Sequence, residues 1–177
     1  YNMVTPGGLN LITDGNFTTS PKTVTWQDDY FIVTSGATRQ FQLSRITPSV
    51  DPTVWPAEQI NFTGASAGAI QAGMSDHSIL NLFSNFAAEF WQNAGSPDFP
   101  FAKIPGSSQE FGLASAWSLA KFDNALTGLF QNAMGGTNYL FSTAAAGPST
   151  YALTNNALTF IGTVSTNATV LGWPQGS

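Results

Sequence analysis

The chain contains no cysteine and a single histidine, His77. Disulfides and thiolate metal sites are therefore excluded, and so is a zinc site of ordinary composition. Charge is scarce as well: 8% of residues are charged, against about 25% in an ordinary soluble domain. The five basic residues, Lys22, Arg39, Arg45, Lys103 and Lys121, are scattered, and the net charge is −5. A general nucleic-acid binder clusters Lys and Arg to displace phosphate counterions, so this composition argues against one. A wall that touches DNA in passing gains from not holding it. No apolar run approaches the roughly 20 residues of a membrane helix. Tyr1 onward has neither the charged start nor the apolar block of a signal peptide, and no membrane anchor is expected. Tyr1 is not an initiator methionine, so the chain is expected to be processed or to be a piece of something longer.

What is present is apolar and aromatic. Of the 177 residues 42% are hydrophobic and 13% aromatic, and most polarity comes from Ser, Thr, Asn, Gln and Gly. Such a surface suits a subunit covered by its neighbours, or an extracellular β-protein. Short aromatic or β-branched runs alternate with Gly, Pro, Asn, Asp and Ser clusters, which predicts an all-β fold of antiparallel strands. Strands are expected near 23–26, 30–34, 40–43, 67–72, 78–83, 88–92, 113–121, 125–130, 137–141, 158–163 and 169–171. The best helix candidate, 78–91, reads about as well as two strands joined at Ser84-Asn85.

A repeat underlies the pattern. Asp29-Tyr30, Asp76-His77 and Asp123-Asn124 each precede an apolar run, and Asp29, Asp76 and Asp123 are 47 residues apart. The second and third copies continue alike, Leu82-Phe83-Ser84-Asn85 against Leu129-Phe130-Gln131-Asn132. Each copy closes on an aromatic strand: Phe41-Gln42-Leu43-Ser44, Phe90-Trp91-Gln92-Asn93 and Tyr139-Leu140-Phe141-Ser142. A period of about 40–50 residues with about four strands is that of a propeller blade. Three equivalent turns are expected at Asp29, Asp76 and Asp123, in blade-like repeats over 1–142. A linker and a shortened β unit, opened by Asn155-Asn156-Ala157-Leu158-Thr159, are expected over 143–177. Too few blades are present to close a ring, so further blades or partners are expected to complete it. Coincidence among Asp-rich turns of a β-sandwich is the other reading.

Catalytic and metal chemistry is poorly supported. Asp76-His77 has no nucleophile motif beside it, and a turn histidine is the simpler reading. Asp28-Asp29 lacks the spaced oxygen ligands of a cation loop. Glu89 and Asp98 could serve as glycosidase carboxylates, but Asp98 is better explained as a turn cap before Phe99. The glycines of 64–73 lack the Lys of a phosphate-binding loop. No catalytic residue, metal or cofactor is expected.

The most specific stretch is 89–106. Glu89-Phe90-Trp91 ends an apolar strand, Asn93, Gly95, Ser96 and Pro97 break it, and Asp98-Phe99-Pro100-Phe101 sets two aromatics around a proline of fixed φ. Lys103, Ile104 and Gly106 follow. This run resembles the signature of the packaged-DNA stabilisation proteins of short-tailed bacteriophages, the tail-hub or nozzle family. Val24 to Val33, Thr38 to Ser44 and Glu110 to Asn124 resemble further parts of that family, so the likeness spans about 24–130 and fades afterwards.

The resemblance implies a virion structural protein, assembled in the host bacterial cytoplasm and located in the tail. It implies a homo-oligomeric ring, a hexamer, adjoining portal or adaptor and other tail proteins. Its role would be to retain packaged DNA and form part of the exit channel, with only transient, weak DNA contact and no reaction catalysed. Family members are several hundred residues long, so the chain would be part of one. Trp91 and Phe101 are expected to be buried, closing one unit on the next. The alternative class is an extracellular carbohydrate-binding or carbohydrate-cleaving β-propeller. There Trp26, Trp55, Trp91 and Trp117 would gather on one concave face to stack on sugars.

Overall fold

The structure, a computed structural model, describes residues 11–46, 48–64, 68–122, 125–132, 139–142, 149–154 and 157–160. It is all-β and antiparallel, and among the described residues helix is limited to two 3-10 turns, Ala57–Gln59 and Ala116–Ser118. Three sheets succeed one another along the chain. The first joins β1 (Pro21–Gln27), β2 (Tyr30–Ser35), β3 (Gln40–Leu43) and β4 (Ile60–Phe62) in sequence order. The second does the same with β5 (Ile70–Asp76), β6 (Ile79–Ser84), β7 (Ala88–Asn93) and β8 (Phe101–Lys103). The third contains β9 (Phe111–Leu113), β10 (Ala120–Phe122), β11 (Ala125–Asn132), β12 (Tyr139–Ser142), β13 (Ser149–Thr154) and β14 (Ala157–Phe160).

The hairpins that open the sheets are built alike. Gln27 pairs with Tyr30, Asp76 with Ile79 and Phe122 with Ala125, leaving two residues in each turn. Asp28 and Asp29 have φ of 49° and 68°, and His77 and Ser78 have 49° and 61°. Two left-handed residues in a row make a type I′ turn, whose twist matches that of the flanking strands. These first two turns are therefore equivalent, but their aspartates are not. Asp29 is the second turn residue, whereas Asp76 is the last residue of β5, in the place Gln27 has in β1. The structural spacing is 49 residues (27 to 76) and then 46 (76 to 122), because connections of unequal length offset the equal spacing of the aspartates. Asp123 lies outside the described residues.

Other expectations shift for physical reasons. The strand expected over 113–121 is interrupted. Ser118 Oγ donates to Ser115 O at 2.7 Å and accepts the Leu129 N–H at 3.0 Å, so a hydroxyl replaces part of the ladder. β9 and β10 are thus two pieces of one edge, both paired with β11. β4 and β8 were not anticipated, and β13 (Ser149–Thr154) begins inside the linker expected over 143–150. The boundary expected at 142 falls between β12 and β13, which pair with each other. The segment expected as a strand at 169–171 lies outside the described residues.

The sheets stack in order through two apolar layers. Ile32, Phe41 and Leu43 of the first sheet meet Ile70, Leu80, Leu82, Trp91 and Phe101 of the second. On the other face of the second sheet Ala72, Phe83 and Ala88 meet Leu113, Leu126 and Phe130 of the third. We call the face of a sheet toward the preceding sheet its front, and the face toward the next its back. Strand alternation explains the two-sided burial of the second sheet: Leu80 and Leu82 point to the front, Phe83 to the back. A register shift between Ile70 and Ala72 lets β5 supply both layers. Each fully buried Leu, Ile or Phe is worth roughly 1.5–3 kcal/mol.

Two glycines let the layers approach. A Cβ on Gly73 would lie 2.8 Å from Cγ2 of Thr34, across the first interface. A Cβ on Gly112 would lie 2.2 Å from backbone atoms of Asn85 and Phe86, where β9 rests on the β6–β7 turn.

Candidate functional site

The 89–106 signature folds into the interface between the first and second sheets. Glu89 and Trp91 lie on the front face of β7, and Phe90 on the back. Trp91 packs edge-on against Phe41 with ring centroids 5.1 Å apart. Phe99 meets the same ring at 5.6 Å, and Phe101 meets Tyr30 at 6.0 Å. Burial pushes the Tyr30 phenol up. Trp91 is 7% exposed and Phe101 2%. Pro100 accepts the Ala94 N–H at 2.7 Å through its carbonyl, closing the loop between β7 and β8. Asp98 is exposed, and its backbone carbonyl accepts from Gln59 Nε2 at 2.6 Å. Earlier in the same loop Asn93 caps a separate turn, its Oδ1 accepting the Gly95 N–H at 2.9 Å.

Glu89 is the polar centre of this interface. Its Oε1 accepts from Lys103 Nζ and from the Gly64 N–H, each at 2.9 Å, and its Oε2 accepts from Trp91 Nε1 at 3.2 Å. One carboxylate thus ties together β7, β8 and the chain leaving β4. A buried carboxylate with three donors around it has its lone pairs engaged in structure.

Further polar links run between β1 and β5. The hydroxyls of Thr23 and Thr25 accept the N–H groups of Gly73 and Ser75 at 2.9 and 3.0 Å. These N–H groups lie on the edge of β5 that faces away from β6, where no strand of the second sheet can reach them. Gln27 accepts from Ser75 Oγ at 2.7 Å and donates to Ser78 O at 2.7 Å. Between the second and third sheets, Asp76 Oδ1 lies 2.5 Å from Lys121 Nζ, and Asp76 Oδ2 2.9 Å from His77 Nδ1. Burial alone would push the Asp76 carboxyl up. The Lys121 ammonium and the His77 ring outweigh it and hold the group below the usual carboxylate range.

The five basic side chains all have partners within the fold. Lys22 donates to Gln71 Oε1, Arg39 to Thr63 O, and Arg45 pairs with Asp51 at 2.9 Å. Lys103 and Lys121 hold Glu89 and Asp76. Thr53 donates to Asp51 through its hydroxyl and its N–H, and with Arg45 holds that carboxyl low. None of these pairings was visible in the sequence, since the partners lie up to 49 residues apart along the chain.

Four of the five tryptophans fall within the described residues, and they do not gather on one face. Trp91 lies in the first interface, and Trp55 packs on Phe17 with centroids at 4.9 Å. Trp26 is on the front face of the first sheet, 46% exposed, and Trp117 is in the 3-10 turn between β9 and β10, 85% exposed. Beside Trp26 the front face carries an apolar groove of about 830 Å³, lined by Leu11, Phe17, Val24, Phe31, Val33 and Trp55 among others. Among the described residues no group of three or more His, Asp or Glu is placed to hold a metal ion, and no helix is long and apolar enough to cross a membrane. Compared with known proteins, the chain matches no family model and no curated protein.

Proposed function

We propose that this chain is a structural segment of a short-tailed phage tail hub, built of propeller-type blades. It assembles in the host cytoplasm into a ring, a hexamer by the family resemblance, against portal or adaptor and other tail proteins. Its task is to retain packaged DNA and wall part of the exit channel, without catalysing a reaction. The observation that carries this reading is the engagement of all five basic side chains inside the fold. A channel wall must let DNA pass, and cations already bound to Gln71, Thr63, Asp51, Glu89 and Asp76 are not free to neutralise phosphates. The sequential four-stranded sheets stacked face to face, and the place of the 89–106 signature between two of them, are in keeping with blades.

The carbohydrate reading is less well supported. It calls for Trp26, Trp55, Trp91 and Trp117 on one concave face, whereas Trp91 is buried between two sheets and Trp117 lies in a 3-10 turn beside the third, which leaves only Trp26 and Trp55 near one groove.

The test pairs two measurements. Particles lacking the protein are expected to package DNA and then lose it, and the isolated protein is expected to bind duplex DNA no tighter than the non-specific range of about 10⁻⁴–10⁻⁶ M at physiological salt. Defective particles that keep their DNA overturn the role. Tighter binding overturns retention by physical closure.

A further inference from the structure

Among the described residues, the stack of sheets ends on two faces that no further sheet covers, and their positions correspond. Counted from the hairpin turns, Thr34 of β2 matches Phe83 of β6 and Leu129 of β11. These are back-face positions. Thr34 and Phe83, covered by the next sheet, are 1% and 0% exposed, while Leu129 is only half-buried. Ile32 and Asn81, also buried, match Thr127, which is half-buried too. On the front faces Val24 and Trp26 match Gly73 and Ser75, and Phe31 and Val33 match Leu80 and Leu82. Leu80 and Leu82 are sealed by the sheet before them at 0% and 1%; of their counterparts Phe31 is half-buried and Val33 is 6% exposed, while beside them Val24 and Trp26 stand 65% and 46% exposed at the groove.

We propose that the front face of the first sheet is the docking surface for the back face of the third sheet of a second copy of this chain, so that copies stack head to tail. The occupant is set by continuity with the two interfaces inside the chain. Each of those joins a back face to the front face of the next sheet, and the third sheet and the first are left with one of each. The contacts carry over position by position. Thr34 lies over Gly73 in the first interface. Their counterparts in the second interface, Phe83 and Leu119, belong to one apolar cluster, so a bulky pair fits at this station. The same station between copies pairs Leu129 with Val24.

Charge is consistent with a blade as the occupant. The charged residues of the groove are Asp14 and Lys22, and each is already engaged, by the Trp55 N–H and by Gln71. A face of Thr127 and Leu129 brings no charge to be desolvated. Because the two faces differ, the contact is heterologous and propagates until it closes into a ring or continues as a filament. The proposal deepens the ring assembly above and rests on it only for the association of copies. The tail role is decided separately, by DNA retention.

The absence of cysteine makes the test clean. Val24→Cys and Leu129→Cys are prepared as separate full-length variants and oxidised alone and mixed. Head-to-tail docking is expected to give a disulfide-linked dimer only in the mixture, and a ladder of higher species from the double variant. Val24→Glu, with an unchanged circular dichroism spectrum, is expected to weaken self-association at least tenfold by sedimentation equilibrium. If Val24→Glu does not fold, the cross-linking alone decides. Dimers of Val24→Cys with itself, to the exclusion of the mixed species, overturn the proposal by showing front faces pairing with each other. A monomer at all concentrations with no mixed cross-link also overturns it, and gives the face to another occupant. If particles still depend on the protein to keep their DNA, that failure belongs to this interface and not to the tail role.

Discussion

Gln42 and Glu89 hold the same station in consecutive sheets. Gln42 pairs across the ladder with Val33, and Glu89 with Leu82, and both are buried on a front face. Gln42 Oε1 accepts the Thr18 N–H at 2.7 Å, and Glu89 Oε1 accepts the Gly64 N–H at 2.9 Å. Each therefore pins the segment of chain that approaches its sheet from the front. Gln42 adds a bond to Asn16 O at 2.5 Å, and Glu89 adds Lys103 and Trp91. The repeat is thus preserved in a polar function even where the residue type differs.

Removing that anchor has a calculable cost. Glu89→Ala leaves the Gly64 N–H and Trp91 Nε1 without acceptors, and each such orphan costs about 1–3 kcal/mol. The expected result is a lower urea midpoint, with a smaller loss in Glu89→Gln, whose amide oxygen still accepts. Equal stability of Glu89→Ala and the parent would show that the carboxylate is not holding the interface.

Trp91→Ala is expected to destabilise the protein by about 3–5 kcal/mol, the range for deleting a large buried aromatic. Trp117→Ala, at an 85% exposed position, is expected within about 0.5 kcal/mol of the parent. Calorimetric melting of the two variants side by side checks the contrast. Comparable shifts would overturn the packing role given to Trp91.

Gly112→Ala is expected to be destabilising by about 1–3 kcal/mol, because the new methyl group meets the backbone of Asn85 and Phe86 rather than a side chain that can turn away. Gly15→Ala, with nothing within 4 Å, serves as the control. Denaturant titration of both is the measurement.

Acid sensitivity is expected to centre on Asp76 and Asp51. Both carboxyls are held below their ordinary value in the folded protein. A depressed value means that the stabilisation is present above the unfolded value, about 3.9, and is lost as pH falls through the folded one. The urea midpoint is therefore expected to be flat near neutrality and to drop below about pH 4. Asp76→Asn is expected to lower the plateau and shrink the drop, while the part due to Asp51 with Thr53 and Arg45 persists. An unchanged acid limb in Asp76→Asn would remove Asp76 from this account.

Local chemistry was legible before any fold was known. The polar turns, the apolar runs between them and the antiparallel all-β class come from strand alternation and turn composition, which act over a few residues, whereas the two-residue length of the turns was not legible. Trp91 and Phe101 could be expected in the interior because the aromatics that end one unit were read as closing it on the next. β4 and β8 escaped notice because three-residue edge strands carry too short a pattern, and Ser149–Thr154 because its Ser- and Thr-rich start resembles a loop. The tertiary structure alone decided that Asp76 ends a strand while Asp29 lies in a turn, since register depends on connection lengths summed along the chain. It alone decided where the scarce charges go: Lys121 to Asp76, Lys103 to Glu89, Lys22 to Gln71. Pairing of that kind is a property of which sheet faces which, and no periodicity within one strand encodes it.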